Sequence, residues 1–135
     1  MPSNKQRKNG GIVMRKAFIC PTKYVQGEDE ILNLGYFVKT FGDSALLIAH
    51  PDDVKRVQEK LKRTAEKFNI RFVESGFCGE CSRREVARLQ ELAKESKCKC
   101  TIGLGGGKAI DTAKCVAEGE NLIVVPTIAA TRSEE

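Results

Sequence analysis

Apolar and polar residues alternate in blocks along the chain, and two kinds of block recur. Short continuous apolar runs, such as Ala45–Ala49 and Leu122–Val125, are typical of strands that are buried on both faces of a parallel sheet. Longer segments between them carry apolar residues at the spacing of a helix. The predicted strands are Ala17–Cys20, Ala45–Ala49, Ile70–Val73, Cys100–Leu104 and Leu122–Val125. The predicted helices are Glu28–Phe41, Pro51–Phe68, Arg83–Ser96 and Ala109–Val116, with loops at Pro21–Gly27 and Phe77–Cys81.

Strands that alternate with helices predict an α/β fold with a parallel sheet. Ser82, followed three residues later by Glu85, predicts a capping box at the start of one helix. Ligands of such sheets bind beyond the carboxyl ends of the strands. We therefore expect the glycine-rich turn after Leu104, the loop after Ala49 and the segment after Val125 to meet at one edge.

The glycine-rich turn is the strongest functional signal. Gly105, Gly106 and Gly107 follow a predicted strand, and Lys108 and Asp111 lie at the start of the next helix. Glycines without a Cβ let backbone N–H groups close on a phosphate, and the helix N-terminus and the lysine add positive charge. The turn therefore predicts a nucleotide or dinucleotide phosphate site, and we expect a positive φ at Gly107.

Two better-known phosphate motifs do not match the turn. Counting from Gly103 or Gly105, the third glycine of the dinucleotide fingerprint would fall on Lys108 or Ile110. The P-loop would need glycine at Ile102 and a hydroxyl residue after the lysine. A tight strand-to-helix turn without a ligand is the alternative interpretation.

Charge is concentrated at the start of the chain. The 135 residues carry a net charge of +5, and five basic residues lie within the first 16. Residues 1–15 are polar and lack periodicity, so we predict a disordered basic tail. The rest is balanced in charge and does not favour a nucleic-acid partner. No apolar run is long enough for a membrane span, and no secretory signal is found, so we expect a cytoplasmic protein without a membrane partner.

Six cysteines allow a second hypothesis. Cys78 and Cys81 form a Cys-x-x-Cys pair, and Cys98 and Cys100 share one face at the start of a strand. Four thiolates would suit zinc, although a zinc ribbon has two residues between both pairs. The alternative is that these residues are small core residues or isolated thiols.

Four segments together resemble one family. They are Pro21-Thr-Lys-Tyr-Val-Gln-Gly27, Phe77-Cys-Gly-Glu-Cys-Ser82, Gly103-Leu-Gly-Gly-Gly-Lys-Ala-Ile-Asp-Thr-Ala-Lys114 and Val125-Pro-Thr-Ile-Ala129. In this order they resemble the N-terminal domain of the glycerol dehydrogenases, within the iron- and zinc-dependent alcohol dehydrogenases and the dehydroquinate synthase-like superfamily. The resemblance implies a Rossmann-like NAD-binding domain at residues 16–131 and oxidation of glycerol to dihydroxyacetone in the cytosol.

The same resemblance implies the cofactor contacts. The residues that match NAD-binding positions or the pyrophosphate turn are Gly105, Gly106, Gly107, Lys108, Asp111 and Thr127. Asp111 would hold the glycine turn through its backbone N–H groups, or would serve as a first-turn acid that complements the helix dipole. An acid near the adenosine half is matched only by Asp52, and we do not expect a catalytic role for His50.

The chain also departs from the family pattern. Arg132 replaces an aspartate that binds substrate hydroxyls, and residues 132–135 are interpreted as a truncated polar end. The resemblance implies that the zinc ligands of the family lie in a C-terminal helical domain, and we expect this chain to lack that domain. We therefore expect weak or no NAD binding and no dehydrogenase activity by this chain alone, and glycerol or a related polyol as a partner only if that domain is supplied. The alternative is a stand-alone, non-catalytic nucleotide-binding module.

Overall fold

A computed structural model describes residues 22–127. The predicted tail at 1–15, the predicted strand Ala17–Cys20 and the polar end at 132–135 lie outside the described residues. The strands are β1 (Thr22–Tyr24), β2 (Ser44–Ile48), β3 (Arg71–Glu74), β4 (Cys100–Gly105) and β5 (Leu122–Pro126). A 3₁₀ helix covers Glu28–Asn33, and the α-helices are α1 (Leu34–Lys39), α2 (Pro51–Phe68), α3 (Arg83–Glu95) and α4 (Gly107–Ala117).

All five described strands form one parallel sheet in the order β1-β5-β4-β2-β3. The three central strands are almost wholly buried, which accounts for their continuous apolar sequences. Helices cover both faces. The 3₁₀ helix, α1 and α2 pack on one face through residues such as Ile31, Leu34 and Val57, and α3 and α4 pack on the other through Leu89 and Ala113. The predicted α/β fold with a parallel sheet is confirmed.

Three element predictions need correction. Thr22–Tyr24, predicted as loop, pairs with β5; three residues are too few to show a period. The predicted helix Glu28–Phe41 is broken near Asn33, and its first part is a 3₁₀ helix whose i, i+3 spacing brings Ile31 and Leu34 to the same side. The helix predicted from Ala109 already begins at Gly107.

β4 and α4 approach each other closely at Gly103. A Cβ placed on Gly103 would lie 2.7 Å from the Cβ of Ala113 and 3.2 Å from the Cα of Ile110. Both residues are on the helix that follows the glycine turn, so the absence of a side chain at Gly103 sets the distance between sheet and helix.

Replacing Gly103 by alanine is therefore expected to force α4 away from the sheet and to lower the free energy of unfolding by ~1–3 kcal/mol. Urea denaturation followed by circular dichroism measures the change. Gly107→Ala is the matched control, because a Cβ there meets nothing within 4 Å. Equal stability of the two variants would contradict the close packing of α4 on Gly103.

A second prediction concerns Cys100, which is buried at the start of β4. Burial, together with the neighbouring Cys98, raises the pKa of the Cys100 thiol from 9.0 to about 12. Above pH 9 the unfolded chain loses this proton while the folded chain keeps it, so the folded state is destabilised as the pH rises. The contribution of the buried Cys100 thiol to the free energy of unfolding is fully present below pH 9 and is lost progressively between pH 9 and about 12.

Between pH 8 and pH 10, wild type is expected to lose ~1.4 kcal/mol more unfolding free energy than Cys100→Ala. Urea titrations at both pH values measure this difference, and the alanine variant cancels the ionisation of lysines and tyrosines. Parallel pH profiles for the two proteins would contradict the assignment to Cys100.

Candidate nucleotide-binding site

Three strand ends meet at the carboxyl edge of the sheet, as the sequence predicts. Gly105 ends β4, and its carbonyl accepts a hydrogen bond of 3.3 Å from the backbone N–H of Thr127, just after β5. The side chain of Asp53, in the first turn of α2 after β2, lies against the same glycine. The turn between β4 and α4 is therefore bordered by both neighbouring strand ends.

Backbone conformation at the turn differs from the sequence-based expectation. The positive φ belongs to Gly105, at +124°, and Gly107 is not among the positive-φ residues. The expectation that position 107 needs glycine because of a positive φ is therefore wrong. Gly107 instead lies in open space at the first position of the helix, where an added Cβ would meet nothing within 4 Å.

Within the described part of the chain, the space beside Gly107 at the N-terminus of α4 is open. Gly106 is the N-cap and provides no side-chain hydrogen bond to the first N–H groups of the helix. The first N–H groups of a helix have no intrahelical acceptor, so an uncapped start leaves them for an external acceptor. Lys108 is exposed in the first turn. The arrangement presents backbone donors and one full positive charge at the same helix end.

Thr127 is the buried hydroxyl of the site. It is 3% exposed, and within residues 22–127 its Oγ1 has no hydrogen-bond partner. A buried hydroxyl without a partner costs free energy, which a bound ligand could recover by supplying the missing hydrogen bond. Because the Thr127 backbone is bonded to Gly105, this unsatisfied oxygen borders the glycine turn.

A second unsatisfied hydroxyl lies at the neighbouring strand end. Ser75, just after β3, is 4% exposed, and its Oγ also lacks a partner among the described residues. Ser75 lines a cavity of about 170 Å³ at the carboxyl ends of β2 and β3. Ala49, Val54 and Gln58 line the same cavity. Nothing in the sequence pattern indicated Ser75.

An acidic side chain that the sequence pattern did not indicate lies against Gly105. Oδ2 of Asp53 lies 2.7 Å from the position that a Cβ on Gly105 would occupy. Its other oxygen forms a 2.6 Å ion pair with Arg56, which also donates a 2.8 Å hydrogen bond to Glu28. Asp52, the residue considered from the sequence, has a side chain that is 90% exposed and lies 3.6 Å from His50. Asp53 is therefore the acid that faces the glycine turn.

Asp111 lies one turn further along α4 and is exposed. Within residues 22–127 it makes no hydrogen bond to the glycine turn, so the proposed bracing of the turn is not seen. Burial raises the pKa of the Cys115 thiol, and the charge of Asp111 contributes in the same direction. The structure thus brings five of the six predicted site residues together at the turn and places Asp111 beside it.

The loop between β3 and α3 ends in a helix cap. Ser82 Oγ accepts a 3.1 Å hydrogen bond from the backbone N–H of Glu85, which confirms the Ser82 half of the predicted capping box. Within residues 22–127 no bond returns from the Glu85 side chain to the Ser82 N–H, so the box forms only in part. The Glu85 carboxylate binds Arg88 at 2.8 and 2.9 Å. Hydrogen bonding from Arg88 lowers the pKa of Glu85, against the effect of burial, and the Cys78 backbone contributes in the same direction.

The four-cysteine zinc hypothesis is wrong. Cys78 and Cys81 follow β3 at the carboxyl edge, whereas Cys98 and Cys100 lie at the opposite edge, where β4 begins. Across the described part of the chain, no group of three or more His, Cys, Asp or Glu side chains is placed to hold a metal ion. Among the same residues, no helix is long and apolar enough to cross a membrane.

Fold and turn together define the class: an α/β domain of the Rossmann-like type, with a glycine turn at the carboxyl edge of a parallel sheet. A sequence model of the iron-containing alcohol dehydrogenases matches residues 21–135. The chain belongs to the iron-containing alcohol dehydrogenase family, and it corresponds to the N-terminal domain of that family.

Curated relatives agree with this assignment. The chain is 38% identical to a glycerol dehydrogenase of Pseudomonas putida over 120 residues, which are 87% of this chain and 33% of that protein. It is 37% identical to a glycerol dehydrogenase of Citrobacter freundii, with the same shares covered. The chain therefore spans about a third of the length of these relatives.

Solved structures support the same family assignment. The glycerol dehydrogenase of Schizosaccharomyces pombe matches with a TM-score of 0.66 and 27% identity, over 79% of this chain and 28% of that one. A probable glycerol dehydrogenase of Sinorhizobium meliloti matches with a TM-score of 0.62 and 32% identity, over 78% of this chain and 28% of that one. The resemblance to the glycerol dehydrogenases is confirmed at the level of sequence and fold.

Proposed function

We propose that this chain is the cofactor domain of an NAD-dependent glycerol dehydrogenase and that it binds the NAD pyrophosphate at Gly105–Lys108. The single observation that carries the proposal is the unsatisfied hydroxyl of Thr127 at the border of a turn with uncapped helix N–H groups. A dinucleotide supplies acceptors for both kinds of group. Relatives named glycerol dehydrogenases support the choice of substrate class.

The residues present fit the dinucleotide. Gly107 leaves the space above the helix start open, so a phosphate can approach the backbone without meeting a Cβ. Lys108 adds a positive charge at the same helix end, and charge-assisted contacts are stronger than neutral ones. Asp53 lies across the turn with one oxygen neutralised by Arg56. That ion pair reduces the repulsion that the carboxylate would exert on a phosphate.

The adenosine half is assigned to the cavity beside Ser75. Its lining combines apolar side chains with the unsatisfied Ser75 hydroxyl, which offers a hydrogen bond to a base or ribose. It lies at the ends of β2 and β3, next to the helix that carries Asp53. This position continues from the proposed pyrophosphate turn along the same sheet edge.

NAD, when bound, supplies a hydride acceptor. The chain's own residues bind and orient it: the turn holds the phosphates, Lys108 offsets their charge, and Thr127 Oγ1 donates or accepts a hydrogen bond at the strand end. The resemblance also implies a catalytic metal, and residues 22–127 do not fit one. No step is therefore assigned to a metal in this chain, and glycerol oxidation is proposed to need the C-terminal domain of the family.

Gly107→Val is expected to abolish NAD binding while leaving the fold intact. The added side chain fills the open space above the helix start, and a residue there is not strained, because the φ of Gly107 is not positive. Isothermal titration with NAD measures binding, and thermal denaturation checks the fold. Unchanged affinity in a folded variant would contradict the proposed pyrophosphate turn.

Lys108→Ala is expected to weaken NAD binding by ~1–3 kcal/mol, the loss typical of a charge-assisted contact. Lys114→Ala is the matched control, because Lys114 is exposed in the last turn of the same helix. Its loss changes the net charge equally without touching the glycine turn. Equal losses of NAD affinity in the two variants would contradict a direct contact between Lys108 and the phosphate, because net charge alone would then account for the effect.

A further inference from the structure

The residues that follow β3 form one wall of the cavity beside Ser75. Ser75 and Gly76 both line this cavity. The backbone N–H of Ser75 bonds to the carbonyl oxygen of Leu47, on β2, at 3.2 Å. Gly76 then has a φ of +65°, so the chain turns away from the sheet immediately after Ser75. The position of the Ser75 hydroxyl therefore depends on what holds Gly76.

Arg88, on α3, holds this turn. Its Nη2 donates a 3.4 Å hydrogen bond to the carbonyl oxygen of Gly76. The same guanidinium is fixed by the carboxylate of Glu85, with bonds of 2.8 and 2.9 Å. A guanidinium presents several N–H donors in one plane, so one arginine can bind a carboxylate and a carbonyl at the same time. Arg88 therefore connects α3 to the wall of the cavity.

The groups around this arginine are themselves well fixed. The Glu85 side chain is only 10% exposed. Phe77, two residues after Ser75, is 1% exposed and belongs to the apolar cluster that includes Leu89 of α3. The loop after Ser75 is thus held towards α3 by one apolar side chain and by the polar contacts of Arg88.

We propose that Arg88 is a positioning residue for the adenosine half of the dinucleotide: it holds the carbonyl of Gly76 and so fixes the Ser75 hydroxyl in the cavity wall. Arg88 is not among the residues that line the cavity, so it acts through Gly76 and not on the nucleotide. Ser75 Oγ is buried and has no partner among the described residues, so its position decides whether it can bond to adenosine. The inference rests on the proposed function, because it takes this cavity as the adenosine site.

The test is a double-mutant cycle in the 135-residue chain, with the NAD affinity measured by isothermal titration. The variants are Ser75→Ala, Arg88→Ala and the two combined, and circular dichroism checks that each is folded. Arg88→Ala is also made together with Glu85→Gln, which removes the buried charge that the loss of Arg88 leaves unpaired. Lys94→Ala is the matched control, because it removes one positive charge from the last turn of the same helix.

Ser75→Ala and Arg88→Ala are each expected to lower the NAD affinity about two- to tenfold, the range that one neutral hydrogen bond contributes. The combined variant is expected to lose no more than either single variant, because both changes remove the same contact. The same coupling is expected when Glu85→Gln is present. A merely structural role of Arg88 would lower the affinity further in the Ser75→Ala background.

Losses that add in the combined variant would overturn the inference and leave the proposed cofactor site intact. An NAD affinity of Arg88→Ala equal to that of Lys94→Ala would do the same, because net charge alone would then explain it. If the unaltered chain does not bind NAD, the proposed function fails and this inference fails with it.

Discussion

The close approach of β4 to the helix that follows it is the constraint on which the rest of the structure depends. Gly103 has room for only a hydrogen atom where α4 passes, with Ala113 opposite. Because α4 starts two residues after β4 ends, the same contact fixes the direction in which the helix N-terminus points. The first N–H groups of α4 therefore face the carboxyl edge of the sheet, where Thr127 and Asp53 also lie.

Much of this arrangement follows from the sequence. The apolar runs at β2, β4 and β5 are continuous because both faces of these central strands are covered by helices, and this pattern is typical of parallel sheets. Once those strands are parallel, the edge at which the glycine turn lies is determined. The pattern of three glycines followed by a lysine then locates the candidate phosphate site without further information.

Other features depended on tertiary contacts that no local pattern reveals. β1 is only three residues long, and it is a strand because β5 provides its hydrogen-bond partners. Asp52 and Asp53 are adjacent and chemically identical, so only the direction of the first turn of α2 distinguishes the exposed acid from the one beside Gly105. The unsatisfied Ser75 hydroxyl is equally invisible in the sequence, because burial decides its significance.

The charged residues of β3 affect how readily the edge of the sheet can pair with another strand. β3 lies at the end of the described sheet, and its two apolar residues are flanked by the exposed charges of Arg71 and Glu74. An unpaired strand edge is a template for another strand, and charges at its ends oppose such pairing. In a concentrated solution or during synthesis, Arg71 and Glu74 would therefore oppose edge-to-edge aggregation of this domain.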